Sequence, residues 1–194
     1  MTYDLTKSNQ NVTKGSVFDV ATQQGKKPEE VLTDADVVVM LDLSSSMNHQ
    51  QRDGRSRYDK AKDALADLQQ AFPGRVVLVT FADAARMELG GVPPHASGMT
   101  NLYAALEVSQ KFDGLDTKFY VISDGEPNCT SHEEIFAIAS EFTDPINCIF
   151  IGEDHDFAGI KFMKELAALT GGKDSGKVEP HLLGETIKLL ITGE

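Results

Sequence analysis

Two acids and three hydroxyls stand where apolar runs give way to loops. The stretch DLSSSM, residues 42–47, sets Asp42, Ser44 and Ser46 directly after the run VVVML. A second apolar run in FYVISDGEPN, residues 119–128, finishes in Asp124, and ASGMTNLYAAL, residues 96–106, puts Thr100 just ahead of a helical pattern. If the strands carrying Asp42 and Asp124 are neighbours, two carboxylates and the hydroxyls of Ser44, Ser46 and Thr100 converge. Carboxylates that close repel unless a cation lies between them. The candidate donors are all oxygens, so the ion is a hard one, Mg²⁺ first and Mn²⁺ second. Calcium sites use more carboxylates and a bidentate Glu, whereas hydroxyls and retained waters suit an octahedron with ligands at about 2.0–2.1 Å. With two formal charges from the protein, one coordination position remains for water or an acidic group from elsewhere.

The elements that must position these residues are legible as a strand and helix alternation. VVVMLDL (37–43), VVLVTF (76–81), FYVI (119–122) and INCIFI (146–151) are continuous, β-branched-rich runs, as expected of strands covered on both faces. Ala61, Leu65, Leu68 and Phe72 fall on one helical face that Pro73-Gly74 ends. Ile135, Ile138, Ala139 and Phe142 make a second stripe, with a capping box predicted at Thr130/Glu133 and an end near Pro145. Leu102, Ala105, Leu106 and Phe112 predict another helix; Ile160, Met163 and Ala167 a further one stopped by Gly171-Gly172; and Leu183, Ile187 and Leu190 a closing one. RMEL (86–89) reads as a short edge strand, and a weak strand is expected within 173–179.

This pattern predicts a doubly wound, Rossmann-like α/β domain: a mostly parallel central sheet, helices on both faces and one short antiparallel edge strand. In such sheets ligands bind beyond the carboxyl ends of the strands where strand order reverses. Residues 1–33 are polar and weakly periodic, and read either as an arm packed on the sheet edge or as a lead-in; residues 34–194 form the domain.

Asp-x-Ser-x-Ser after the first strand, Thr before a middle helix and Ser-Asp-Gly after the fourth strand together resemble the metal-ion-dependent adhesion site of von Willebrand factor A domains. The likeness extends over roughly residues 34–194, including the helix end LAALTGG (166–172). It implies that Ser44, Ser46 and Thr100 bind Mg²⁺ directly, that Asp42 and Asp124 act mostly through water or hydrogen bonds, and that a partner protein's Asp or Glu completes the coordination. Met47, His49, Met99 and Glu126 are then expected on the partner-binding rim, with Gln50 and Arg52 beside them. Met99 stands where many members of the family have glycine. Related domains couple ligation to movement of the C-terminal helix, here 181–192, and domains of this type often accompany ring-forming AAA+ ATPases, which makes such an ATPase one candidate partner.

Alternatives remain at this stage. Alone, DLSSSM would read as a helix N-cap with a spare acid. An EF-hand loop fails because Met47 replaces the glycine at the sixth position and Asp53 the glutamate at the twelfth. GGKDSGKV (171–178) lacks the hydroxyl of a P-loop, since Val178 stands there. An Mg²⁺-dependent hydrolase or phosphatase using Ser44, Ser46, His49 and Asp124 is the enzymatic alternative, but Ser44 replaces the second acid of a phosphoaspartate-forming loop and no GxSxG elbow occurs, so a non-enzymatic reading is preferred.

Composition narrows the classes further. With 194 residues and 41% hydrophobic content, one domain can bury a core without disulfides. Cys129 and Cys148 form no CxxC pair and are expected to be free thiols. The start MTYDLTKSNQNVTKG has neither the basic nor the apolar segment of a leader, which predicts a cytoplasmic protein. A net charge of −12, relieved only by the short RDGRSR at 52–57, argues against nucleic acid and anionic membranes as partners.

Overall fold

The computed structural model of the chain describes residues 12–192. Six strands, β1 (Val37–Asp42), β2 (Val76–Phe81), β3 (Ala85–Met87), β4 (Lys118–Ser123), β5 (Ile146–Phe150) and β6 (Asp174–Lys177), form one sheet in the order β3-β2-β1-β4-β5-β6. All pairings are parallel except β2 with β3, which is antiparallel at one edge. The helices are α1 (Val17–Gln24), α2 (Pro28–Leu32), α3 (Arg57–Ala71), α4 (Leu102–Ser109), α5 (His132–Ala139), α6 (Phe157–Thr170) and α7 (Leu183–Thr192).

The continuous apolar runs have their explanation in two cores. Side chains alternate across a strand, so Val38, Met40, Phe119, Val121 and Cys148 face one core with α4, α5 and α6, while Val37, Val39, Leu41, Tyr120 and Ile122 face another with α3 and α7. Both faces are covered, so polar alternation is absent from β1, whose six residues are all buried. The described part of the amino-terminal segment belongs to the first core: α1 and α2 bury Val17, Ala21 and Val31 there, and Thr13 and Phe18 donate backbone hydrogen bonds to Gly90 and Leu89. Residues 1–11 of the segment read above as an arm or lead-in lie outside the described residues.

Local expectations shift by small amounts. The α5 capping box is at Ser131 and Glu134, one residue later than the pattern placed it: the Ser131 hydroxyl accepts from the Glu134 amide, and the Glu134 carboxylate accepts from the Ser131 amide. The helix ends at Ala139 instead of near Pro145, because Asp113 accepts from the amides of Thr143 and Asp144 and ties 140–145 into a turn.

Cys148 is fully buried in the first core, and burial pushes its thiol above its ordinary range; Cys129 is exposed. Thiolate is the reactive form. A disulfide-exchange reagent at pH 8 should therefore titrate one thiol per native chain and two after denaturation, with Cys129→Ser removing the native signal.

Candidate metal centre

Strand order reverses between β1 and β4, and Asp42, Ser44, Ser46 and Asp124 gather beyond the carboxyl ends of those two strands, with the loop that carries Thr100 beside them. Asp42 closes β1 and is fully buried. One carboxylate oxygen accepts from the Ser44 amide at 2.7 Å and the other from the Ser123 hydroxyl at 2.6 Å. Burial nevertheless dominates: it pushes the Asp42 carboxyl up to about 7, against the lowering effect of those bonds and with a further raising contribution from Asp124.

Ser44, itself extended, leads into a 3-10 turn, Ser45–Asn48. Ser44 Oγ lies 2.9 Å from Ser46 Oγ, and Ser46 Oγ donates to Asp124 Oδ1 at 2.7 Å. Thr100 is buried, and the loop that holds it is knitted to the segment just after β1: Ser97 N donates to Leu43 O at 2.7 Å and Ser45 N to Gly98 O at 3.0 Å. Gly98, at φ +93°, makes the bend beside Asp83, whose carboxylate accepts from the Met99 amide at 3.0 Å. From the other side Asn128 Oδ1 accepts from the Thr100 amide at 2.9 Å, and Asn128 N donates to Thr100 O at 3.2 Å.

The expected repulsion between Asp42 and Asp124 is relieved in a way the motif did not indicate. A capping box at Ser56 and Asp59 starts α3 so that Arg57 is its first residue, with the side chain only 5% exposed. Arg57 Nη1 donates to Asp124 Oδ2 at 2.7 Å, and Nη2 donates to the Glu153 carboxylate. Among the described residues, Arg57 Nε has no hydrogen-bond partner. Arg57, Glu153, Ser123 and Asn128 are therefore members of this site that the sequence reading missed. Glu153 was signalled by an acid just beyond the apolar run INCIFI, and Arg57 by its place directly after a Ser cap.

The rim residues divide. His49, Met99 and Glu126 are exposed, with Met99 at 47%. His132 Nε2 lies 3.0 Å from the Glu126 carboxylate, and His49 Nε2 lies 4.0 Å from that of Glu153. Met47 does not belong to the rim: it is fully buried in the second core, because the same 3-10 turn that turns Ser46 outward turns the next side chain inward. His49, Gln50 and Arg52 line a cleft of about 560 Å³ together with Glu153, Lys177 and Glu179.

The donor set can be tested against an octahedral ion. Adjacent ligands at about 2.0–2.1 Å stand about 2.8–3.0 Å apart, and the two serine hydroxyls, Ser44 Oγ and Ser46 Oγ, are 2.9 Å apart; Asp124 stands behind them as the hydrogen-bond acceptor of Ser46. Among the described residues, no three His, Cys, Asp or Glu side chains gather as a metal cluster. The donors here are hydroxyls backed by two acids, so the arrangement fits a small hard cation and not a zinc-type site.

No protein-family model and no curated protein sequence matches the chain. Solved structures do. An aerotolerance-related membrane protein from Bacteroides fragilis, in a form with multiple mutations to serine, superposes with a TM-score of 0.58 at 18% identity, over 82% of this chain and 100% of that one. The PilB minor pilin from Streptococcus sanguinis gives 0.61 at 12% identity, over 81% of this chain and 60% of that one. The SpRpn10 VWA domain gives 0.55 at 14% identity, over 79% and 93%. At such identities the likeness carries the fold alone: the chain has a von Willebrand A-like α/β fold.

Proposed function

We propose that the chain is a divalent-cation-dependent protein-recognition module. Ser44, Ser46 and Thr100 would hold Mg²⁺, or Mn²⁺, through their hydroxyls, with Asp42 and Asp124 as the acids behind them. When bound, the ion supplies a coordination position that a partner's Asp or Glu carboxylate can take. The observation that carries this reading is the gathering of Ser44, Ser46, Asp42 and Asp124 at the switch point of the sheet, with the two serine hydroxyls 2.9 Å apart and Asp124 accepting from Ser46.

The protein's own residues prepare the site. The Ser44 amide and Ser123 hydroxyl fix Asp42, whose buried carboxylate orients the loop. Asn128 and Asp83 clamp the backbone of the Thr100 loop, accepting from the Thr100 and Met99 amides, which would lower the ordering cost of presenting the hydroxyl to an ion. Met99, His49 and Glu126 are exposed and would form the rim from which a partner approaches. The acidic surface disfavours loose anions, so a carboxylate would gain entry only at the ion.

Isothermal titration of Mg²⁺ and Mn²⁺ into chelator-stripped protein tests this. Wild type should show saturable binding of one ion per chain. The double substitution Asp42→Ala, Ser44→Ala should weaken it at least about 100-fold, beyond the 10–100-fold loss that outer ligands alone produce. Equal binding by a folded double variant would move the ion elsewhere and remove the reading.

A further inference from the structure

Arg57 has no part in the recognition scheme above, yet it is the most deeply buried cation of the site. Its side chain is 5% exposed, that of its partner Asp124 is fully buried, and that of Glu153 is 43% exposed. A guanidinium stays charged at any working pH. We propose that Arg57 is a built-in counter-cation that weakens the site's hold on a divalent ion, and that Glu153 counteracts it. This rests on the metal-site reading and deepens it.

The charge count gives the reason. With an ion bound, Asp42 and Asp124 would offer two formal charges, and Arg57 is bonded at 2.7 Å to the Asp124 oxygen that does not face Ser46. Hard-cation affinity is set largely by the number of ligand charges, and a positive group held against one of the acids subtracts from that number. Glu153 binds the other Nη of the same guanidinium and returns part of the charge. The protein alone is then left short of negative charge, and a partner's carboxylate supplies what is missing. Glu153 sits on the loop between β5 and α6, where its carboxylate accepts from Arg57 and lies 4.0 Å from His49 Nε2.

The two residues therefore have opposite effects, which a merely structural role would not produce. Arg57→Gln should tighten Mg²⁺ binding by at least about tenfold, the order Coulomb's law gives for removing a unit charge a few ångströms from a divalent ion even under water-like screening. Glu153→Gln, which leaves Arg57 less balanced, should loosen it about threefold or more. Both are measured by isothermal titration of Mg²⁺ into the full chain, with circular dichroism to show that each variant is folded.

Loosening in both variants, or no change in Glu153→Gln, overturns the proposal and assigns Arg57 only to holding Asp124 in place. Should Arg57→Gln fail to unfold cooperatively, Glu153→Gln decides alone, since tightening or constancy there contradicts the charge argument. Binding by Arg57→Gln where wild type binds none supports the proposal. Absence of binding in all three removes the metal-site reading itself, and this inference with it.

Discussion

Asp124→Ala is expected to destabilise the protein by about 3–5 kcal/mol in metal-free buffer, because it strands a buried guanidinium. Arg57 is 5% exposed, and one of its two carboxylate partners, at 2.7 Å, is the fully buried side chain of Asp124. Glu153 remains as a partner but is partly solvated, and it cannot replace the Asp124 charge at Nη1. The loss has a second contribution, since Ser46 Oγ also surrenders its acceptor. Urea unfolding monitored by circular dichroism measures it as a lowered midpoint at unchanged slope. The double variant Arg57→Met, Asp124→Leu should be more stable than Asp124→Ala, since an apolar pair of similar volume is often neutral where a broken ion pair is costly. A loss below about 1 kcal/mol for Asp124→Ala would show that the pair is not buried in solution. Adding Mg²⁺ afterwards separates the two roles of Asp124, because only binding to the native state raises the midpoint.

The sheet was readable because its strands are buried on both faces and so appear as uninterrupted runs. Asp42 and Asp124 were readable because each interrupts such a run at its carboxyl end, where a buried acid has no structural excuse. The rest depended on geometry that single positions do not carry. Met47 follows three hydroxylated residues in a polar loop, and only the 3-10 turn decides that it points into the core. Arg57 belonged to RDGRSR, a segment that reads as a small basic surface cluster; the cap at Ser56 makes it the first helical residue and turns its side chain toward the sheet. The clamp on Thr100 by Asn128 joins loops 28 residues apart, a pairing that neither loop declares alone.

These polar groups, most of them buried, link the site into one continuous network. Asp42 is tied to Ser44 and Ser123, Ser44 to Ser46, Ser46 to Asp124, Asp124 to Arg57 and Arg57 to Glu153, so that loops after β1, β4 and β5 and the start of α3 share one chain of hydrogen bonds. Low local dielectric strengthens each member and raises the cost of leaving any one unsatisfied. Rigid placement of hydroxyls follows from this, and it also makes the site sensitive to backbone shifts at residues that bear no functional group.

Gly152 is the position where that sensitivity should be greatest. A Cβ there would lie 2.3 Å from the Asp124 carbonyl oxygen and 2.4 Å from the Phe150 ring, closer than real Cβ contacts occur. Neither neighbour can yield cheaply. Phe150 is 1% exposed, and the Asp124 peptide is held by its own side-chain bonds and by the adjacent hydrogen bond from Ile151 N to Ser123 O at 3.0 Å. Gly152→Ala must therefore push the loops after β4 and β5 apart, at a cost near the upper end of overpacking, about 3 kcal/mol. The displaced carboxylate would also leave Ser46 and Arg57, so Mg²⁺ binding should weaken together with stability. Gly125→Ala is the control, on the neighbouring loop after β4: its nearest contact is Asp156 Oδ2 at 3.9 Å, and its effect should stay within about 0.5 kcal/mol. Urea midpoints and Mg²⁺ titrations of the two variants decide the matter. Equal behaviour of Gly152→Ala and Gly125→Ala would mean that the loops after β4 and β5 do not pack as closely as 2.3 Å implies, and that the Asp124 carboxylate is set by its hydrogen bonds alone.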